Sequence, residues 1–354
     1  AAVLPLTGPN ASLGQETSNA AKLLVKQWNE TNRIAGYTLE YMAEDDASDP
    51  KQAVAAATRV VGDPGVLGVV AHFNSGCLLP ASKVYNRAGV MAISPAATNP
   101  EVTLQGFPQI ARVCSNDNVQ GKAAAKFLAK RGLKQVAIIH DKTQYGEGLG
   151  KVLQGEGATE GLTIQSFDGI SVGEKDFKAL LTKIKAQNPS AIYFGGLHEE
   201  AAFLVRQMKE LELTAQFVSD DGVYGQDFIR NSAEAGDGSI VSFPSTPLEK
   251  LPNAGEFFKA YEAEYKTPVV NWGPYGHDAT LILLESIQKA VGDKGPESLR
   301  EKVVKYARSG DHKGLLGDLK FDQNGDPINQ QFSFYQVKGG KFEYLETISR
   351  AESP

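Results

Sequence analysis

Ser75 and Thr98 are the side chains whose setting points most directly to chemistry. Each follows an apolar run that ends in small, hydroxyl-bearing residues: VLGVVAHF leads into Asn74-Ser75-Gly76, and GVMAIS leads into Pro95-Ala96-Ala97-Thr98-Asn99-Pro100. Short apolar runs of this kind read as buried strands. In an open α/β sheet, ligands sit outside the carboxyl ends of the strands, where helix N-termini leave backbone N–H groups unpaired. Such groups favour an anion. The expectation is that Ser75 and Thr98, with the amides around them, hold a small carboxylate.

Other chemistry finds little support. His72, His140, His198, His277 and His312 show no HExxH spacing and no neighbouring cysteine pair, so no metal site is expected. There is no GxSxG elbow and no cysteine with a nucleophile signature. The run YGEGLGKV lacks the GxxxxGK[ST] spacing of a phosphate loop, and its glycines read instead as close packing at a helix start. Asp322-Gln323-Asn324-Gly325-Asp326 imitates the start of a calcium loop but lacks the closing Glu, so a turn around Asn324-Gly325 is expected. Glu44-Asp45-Asp46 reads as a solvated strand end. No cofactor is expected.

The elements that must position Ser75 and Thr98 follow a simple rhythm. AAVLPL, TLEYMAEDD, VLGVVAHF, GVMAIS and FPQIARV alternate with helical patterns such as QETSNAAKLLVKQWNETN, and Asp49-Pro50 is a helix start signal. The alternation restarts after Val113 with QVAIIHD, LTIQSFDGI, AIYFGG and AQFVSDD. Parallel sheets with helices on both faces follow. Past Ser245 the chain turns helical, then closes with antiparallel hairpins around Asn-Gly and Gly-Gly. At 354 residues the chain is too long for one ordinary core, so two lobes are expected.

A hydrophobic fraction of 42%, a charged fraction of 22% and a net charge of −6 fit a globular protein and argue against nucleic acid or an anionic membrane as partner. No apolar run reaches the roughly 18 residues of a membrane span. Cys77 and Cys114 each follow an expected strand. A bridge between them would close a loop of about 37 residues, add roughly 3–4 kcal/mol, and imply an oxidising compartment. The alternative is two buried thiols.

The strings NSGCLLPAS, ISPAATNPEVT, HDKTQYGEG, DGISVGEKDF and YFGGLHEEAAFLVRQ, in this order, resemble the periplasmic branched-chain amino-acid binding proteins of ABC importers. The resemblance runs from PLTGP to FDQNGD. It implies an α/β chain with the type I periplasmic binding protein fold: two Rossmann-like lobes with parallel sheets, a three-crossover hinge and a ligand cleft between lobes. The N-terminal lobe would comprise 1–115 plus 246–328, and the C-terminal lobe 116–245 plus 329–354. It also implies binding without catalysis, a membrane permease as partner, a monomer, and a periplasmic or extracellular location whose leader is absent from this sequence.

Carried over residue by residue, the resemblance puts a ligand carboxylate near the Ser75 hydroxyl and the Thr98 amide and hydroxyl, with Ala96 and Ala97 lining the same loop and the Ala96 carbonyl facing an ammonium. Asp221 stands where the family carries an acid for that ammonium, and Tyr145 where a ring closes over the ligand side chain. Physical chemistry agrees, because a zwitterion taken out of water needs donors at one end and an anionic acceptor at the other. The chain departs from the family in having Leu13, Leu197 and Val270 where aromatic rings are usual. Ser48 also replaces a cysteine of the family's early disulfide. His198, Tyr224 and Tyr275 are further candidates. The ligand expected is a hydrophobic L-amino acid; the alternatives are an aromatic or aliphatic carboxylate, a small amide or, remotely, the substrate of a doubly wound α/β enzyme.

Overall fold

A computed structural model describes residues 1–245, 247–251 and 254–349. Thr246, where the second stretch of the N-terminal lobe is expected to begin, and the tail beyond 349 lie outside the described residues. The elements run β1 (Ala2–Leu4), α1 (Ala11–Glu30), β2 (Ala43–Asp45), α2 (Pro50–Gly62), β3 (Gly68–Ala71), α3 (Ser75–Ala88), β4 (Met91–Ser94), α4 (Glu101–Leu104) and β5 (Ile110–Arg112). They continue with α5 (Asp117–Lys130), β6 (Gln135–His140), α6 (Gln144–Thr159), β7 (Thr163–Gly169), α7 (Lys178–Lys185), β8 (Ala191–Gly195), α8 (His198–Glu210), β9 (Gln216–Ser219), α9 (Gln226–Ser232) and β10 (Ile240–Phe243). Last come α10 (Ala254–Tyr265), α11 (Gly273–Gly292), α12 (Leu299–Ser309), the pair β11 (His312–Gly314) and β12 (Gly317–Leu319), and the hairpin β13 (Gln331–Lys338) and β14 (Lys341–Ser349).

The chain divides into two compact units. Ala1–Ser115 and Leu248–Asn329 form the first, and Asn116–Pro247 with Gln330–Pro354 the second, so the chain passes between them three times.

In the first unit the sheet order is β2-β1-β3-β4-β5, all parallel. β1, β3, β4 and β5 are fully buried runs, GVVA and MAIS among them, which is why β3 and β4 read as continuous apolar segments without alternation. Asp49 caps α2 by accepting from Lys51 N and Gln52 N at 3.0 and 2.8 Å, with Pro50 in the first turn. Val3, Val60, Val69, Leu78, Tyr85 and Val102 meet in the core between sheet and helices.

The second unit orders its strands β14-β13-β10-β9-β8-β6-β7. β10 pairs parallel with β9, whereas the closing hairpin adds antiparallel to β10 and turns at Gly339 and Gly340, both with positive φ. Its core includes Phe127 stacked on Phe334, ring centroids 4.1 Å apart.

Each unit contains one reversal of strand order. In the first it falls between β1 and β3, and in the second between β6 and β8. Ligands of doubly wound sheets bind at such points, outside the carboxyl ends of the strands. The segments there are 5–10 and 72–74 in the first unit, and 141–143 and 196–197 in the second.

Candidate functional site

The first unit's reversal point carries Leu13 on the opening turn of α1 and Ser75 on the first residue of α3. Asn74 precedes Ser75 in an extended conformation, makes no side-chain cap, and keeps its Oδ1 buried without a hydrogen-bond partner. The Asn74 carbonyl accepts the Cys77 N–H at 3.0 Å, but no cap side chain takes the amides of Ser75 and Gly76, which leaves the positive end of the helix dipole to whatever comes from outside. Ser75 is buried, and its Oγ accepts the Asn99 N–H at 3.2 Å, which ties α3 to the loop after β4.

That loop holds Thr98. The Thr98 side chain is 1% exposed, and its Oγ1 has no hydrogen-bond partner. A buried hydroxyl without a partner costs roughly 1–3 kcal/mol, so its retention needs an explanation that a ligand would supply. Ala96 and Ala97 donate their N–H groups to Ser94 Oγ at 3.3 and 2.9 Å, and Ser94 donates to the His72 carbonyl at 2.8 Å. Ala97 also gives its carbonyl to Arg112 at 2.7 Å, and its methyl is buried in the core. With N–H, carbonyl and side chain all turned inward, Ala97 drops out of the expected ligand contacts. Ala96 keeps only its carbonyl uncommitted.

The start of α11 lies close to the same elements. Glu16 on α1 accepts from Val270 N, Asn271 N and Gly273 N at 3.1, 3.0 and 2.6 Å. Its carboxylate serves as the cap that α11 would otherwise lack, and fixes the segment that carries Val270. Burial pushes the Glu16 carboxyl upward while the backbone donors pull it back. Trp272 meets the Phe73 ring edge-on at 5.2 Å and Tyr275 at 4.9 Å, so Tyr275 is fully buried against it.

In the second unit the reversal point gathers acids. The Tyr145 hydroxyl, on the first turn of α6, donates to Asp221 Oδ1 at 2.8 Å and accepts from Gly222 N at 3.2 Å. A Cβ placed on Gly222 would fall 2.9 Å from Leu197 Cδ2 and 3.1 Å from Tyr145 Cε1, so Tyr145, Leu197 and the Asp221–Gly222 turn converge. Asp220, behind them, accepts from Gly196 N and Gly222 N at 2.9 and 3.2 Å. Asp141 holds Thr143 through Oδ1, and its Oδ2 is buried with no partner. The Tyr193 hydroxyl is likewise buried without one.

Desolvation raises these acids, Asp221 and Asp141 to about 6 and Asp220 well above the usual carboxylate range, where the charge of the adjacent Asp221 adds to the rise. Among the described residues no ion pair involves Asp141, Asp220 or Asp221. Buried carboxylates without a lysine or arginine suit a cation brought from outside.

Tyr224, His198 and the two cysteines complete the residues singled out from the sequence. Tyr224 packs its ring against Phe243, Tyr335 and Phe342 at 4.4–4.7 Å, which makes it part of an aromatic cluster. His198 is the buried first residue of α8. Cys77 and Cys114 are buried and not joined by a disulfide, which corrects the expected bridge. β4 lies between the strands that precede them, and neighbouring strands are about 4.8 Å apart. The Cys77 thiol is raised first by burial and then by the charges of Asp46 and Asp49.

The acidic run that ends β2 is scaffold. Asp45 accepts from Leu6 N and Ala47 N, both at 2.8 Å; Asp46 pairs with the buried His72 at 2.6 Å; Glu44 pairs with Arg59. At the Asn324-Gly325 turn, Asp322 Oδ1 accepts three successive backbone N–H groups, and Phe321 bridges to Pro327. The glycines of YGEGLGKV serve close packing: a Cβ on Gly146 would sit 2.3 Å from the Gly195 carbonyl.

Sequence reasoning missed Glu16, Arg112, Asp141, Asp220 and Asn74. None had a local signal beyond its residue type, since each acts through chain segments distant in sequence or through burial.

The family described as periplasmic binding protein matches residues 1–341. The Leu/Ile/Val-binding protein homolog 1 of Brucella suis is 36% identical over 351 residues, covering 97% of this chain and 92% of the relative. The leucine-, isoleucine-, valine-, threonine- and alanine-binding protein of Pseudomonas aeruginosa is 36% identical over 333 residues, 94% of this chain and 87% of the relative. The crystal structure of a leucine-binding protein from Thermotoga maritima superposes with a TM-score of 0.90 at 27% identity, covering 99% of this chain and 98% of that one. The chain belongs to the periplasmic binding protein family, and its two α/β units carry the type I form of that fold.

Proposed function

We propose that the protein is the extracytoplasmic solute-binding component of an ABC importer, and that its ligand is a hydrophobic L-amino acid of the branched-chain type. The first unit holds the ligand carboxylate with the Ser75 and Thr98 hydroxyls, the Thr98 N–H and the opening of α3. The second unit holds the ammonium with Asp221, steadied by Tyr145. Leu13, Leu197 and Val270 flank the side chain. The protein binds as a monomer outside the cytoplasm, leaves its ligand chemically unchanged and passes it to a membrane permease.

The observation that carries this reading is the opposite polarity of the strand ends in the two units. One presents a helix opening without a side-chain cap and a buried hydroxyl without a partner; the other presents buried acids without a cation. A carboxylate answers the first set of groups and an ammonium the second, and a zwitterion carries both charges. The relatives named for leucine, isoleucine and valine binding support the choice of side chain.

The test is calorimetry with leucine, isoleucine, valine, alanine and phenylalanine, alongside an aromatic carboxylate and a small amide, joined to mass spectrometry of whatever the purified protein releases on denaturation. Binding confined to L-amino acids is the expected result. Tight binding of a carboxylate that lacks the amine, with no amino acid bound, would overturn it.

A further inference from the structure

We propose that Arg112 is a positioning residue for the anion-holding loop: its buried guanidinium orients the Ala97–Thr98 peptide so that the Thr98 N–H is presented to the ligand carboxylate. The inference deepens the amino-acid reading above and rests on it.

Arg112 ends β5 and is fully buried. Nη1 donates to the carbonyls of Ala97 and Asn99 at 2.7 and 2.8 Å, Nη2 to Thr103 Oγ1 at 2.7 Å and to the Pro100 carbonyl at 3.4 Å, and Nε to Asp326 Oδ1 at 2.6 Å. Thr103 Oγ1 in turn donates to Asp326 Oδ1 at 2.8 Å, so the charge is balanced and the fork is held at its base as well as its tips. Only a planar guanidinium offers donors in that many fixed directions; an ammonium on a flexible stem does not.

The consequence for the loop follows from peptide geometry. Across a trans peptide the C=O and N–H point in opposite directions. The Ala97 carbonyl is drawn to Arg112, so the Thr98 N–H of the same peptide is aimed away from it. The neighbouring amides do not compete, because Ala96 N and Ala97 N are taken by Ser94 Oγ, Asn99 N by Ser75 Oγ, and Pro100 has none. Three carbonyls converging on one cation turn the negative ends of the loop dipoles inward and the positive ends outward. The guanidinium thus never touches the ligand, yet it selects which amide the loop presents and polarises it.

The test compares L-leucine with L-leucinamide, which keeps the ammonium and side chain but lacks the carboxylate anion, on the intact protein and on Arg112→Lys and Thr103→Val. Arg112→Lys is expected to weaken leucine by about 10- to 100-fold, the range of a hydrogen bond to a charged group, and leucinamide by less than about threefold. Thr103→Val removes one anchor of the fork and shifts the ratio in the same direction by a smaller factor. It decides the matter if Arg112→Lys does not fold. The second readout is the Thr98 amide proton in NMR: leucine moves it downfield in the unaltered protein, and the move shrinks in either variant. Equal losses for the two ligands, or an unchanged Thr98 shift, would overturn the assignment while leaving the amino-acid reading intact. An unaltered protein that binds no amino acid would overturn both.

Discussion

The Tyr145 hydroxyl donates to Asp221 Oδ1 at 2.8 Å while accepting the Gly222 N–H at 3.2 Å, so one ring fixes both the acid and the turn that carries it. A donor on the ionised form favours ionisation, and Tyr145 is among the groups that hold the Asp221 pKa down against desolvation. Tyr145→Phe should therefore weaken an amino-acid ligand by about tenfold, in line with one hydrogen bond to a charged group. It should also move the acid limb of the binding curve to higher pH. Isothermal titration between pH 5 and 8 reads both effects; a weaker ligand with an unmoved acid limb would contradict the link to Asp221.

The acids of the second unit make a prediction about stability whose sign is opposite to the usual carboxylate case. Asp221 and Asp141 are raised to about 6 by burial, above the value of an unfolded chain. The folded protein then retains protons that the unfolded chain has released, so these groups lower stability as pH rises from about 4 through 6. A shift of that size corresponds to roughly 3 kcal/mol for one group. Asp221→Asn mimics the protonated acid. In the absence of ligand it should match the unaltered protein near pH 4 and exceed it at pH 7.5, with a gap of roughly 2–3 kcal/mol in urea denaturation, while losing affinity for an amino acid. A gap that does not widen with pH would refute the assignment.

Thr98 and Ser75 look alike in sequence but differ in what their hydroxyls do. Ser75 Oγ accepts Asn99 N, whereas Thr98 Oγ1 is buried without a partner. Thr98→Val is close to isosteric and removes a polar atom that no other protein group satisfies, so stability should hold or rise by about 1 kcal/mol as affinity falls about tenfold. Ser75→Ala should lower both, because the Asn99 N–H loses its acceptor. Thermal melts beside calorimetry separate the two variants, and a destabilised Thr98→Val would show that its hydroxyl already has a structural task.

How far these roles could be read beforehand depended on whether they were written locally. The strand ends before Ser75 and Thr98 were legible because fully buried parallel strands appear as continuous apolar runs, and Asp49-Pro50 announced α2 because capping is a neighbour effect. TLEYMAEDD suggested a long strand, yet only Ala43–Asp45 pairs, since β2 is an edge strand with one neighbour in its sheet. The bridge between Cys77 and Cys114 is not formed, and no spacing encodes that strand β4 lies between the strands that precede them. Ala97 was indistinguishable from Ala96 until its carbonyl was seen to turn toward Arg112. Arg112 and Asp326, far apart in the chain, meet only through folding.

Glu16 provides the last test, because it joins a helix at the start of the chain to a segment some 250 residues later. Both of its oxygens accept backbone N–H groups at the opening of α11, which only a carboxylate can do. Glu16→Gln keeps the size but replaces one acceptor with an NH2 that must face a peptide N–H. The expected loss is about 1–3 kcal/mol, the range for leaving a buried donor without a partner. Asp at the same position keeps both oxygens but is one methylene short, so it should recover part of the loss at most. The urea midpoint should fall with an unchanged slope, since the fold is retained. Because Val270 rides on the segment that Glu16 holds, affinity for the bulkier aliphatic amino acids should drop more than affinity for alanine. Full stability in Glu16→Gln would mean that α11 is held by its packing alone and that the carboxylate does not set its entry.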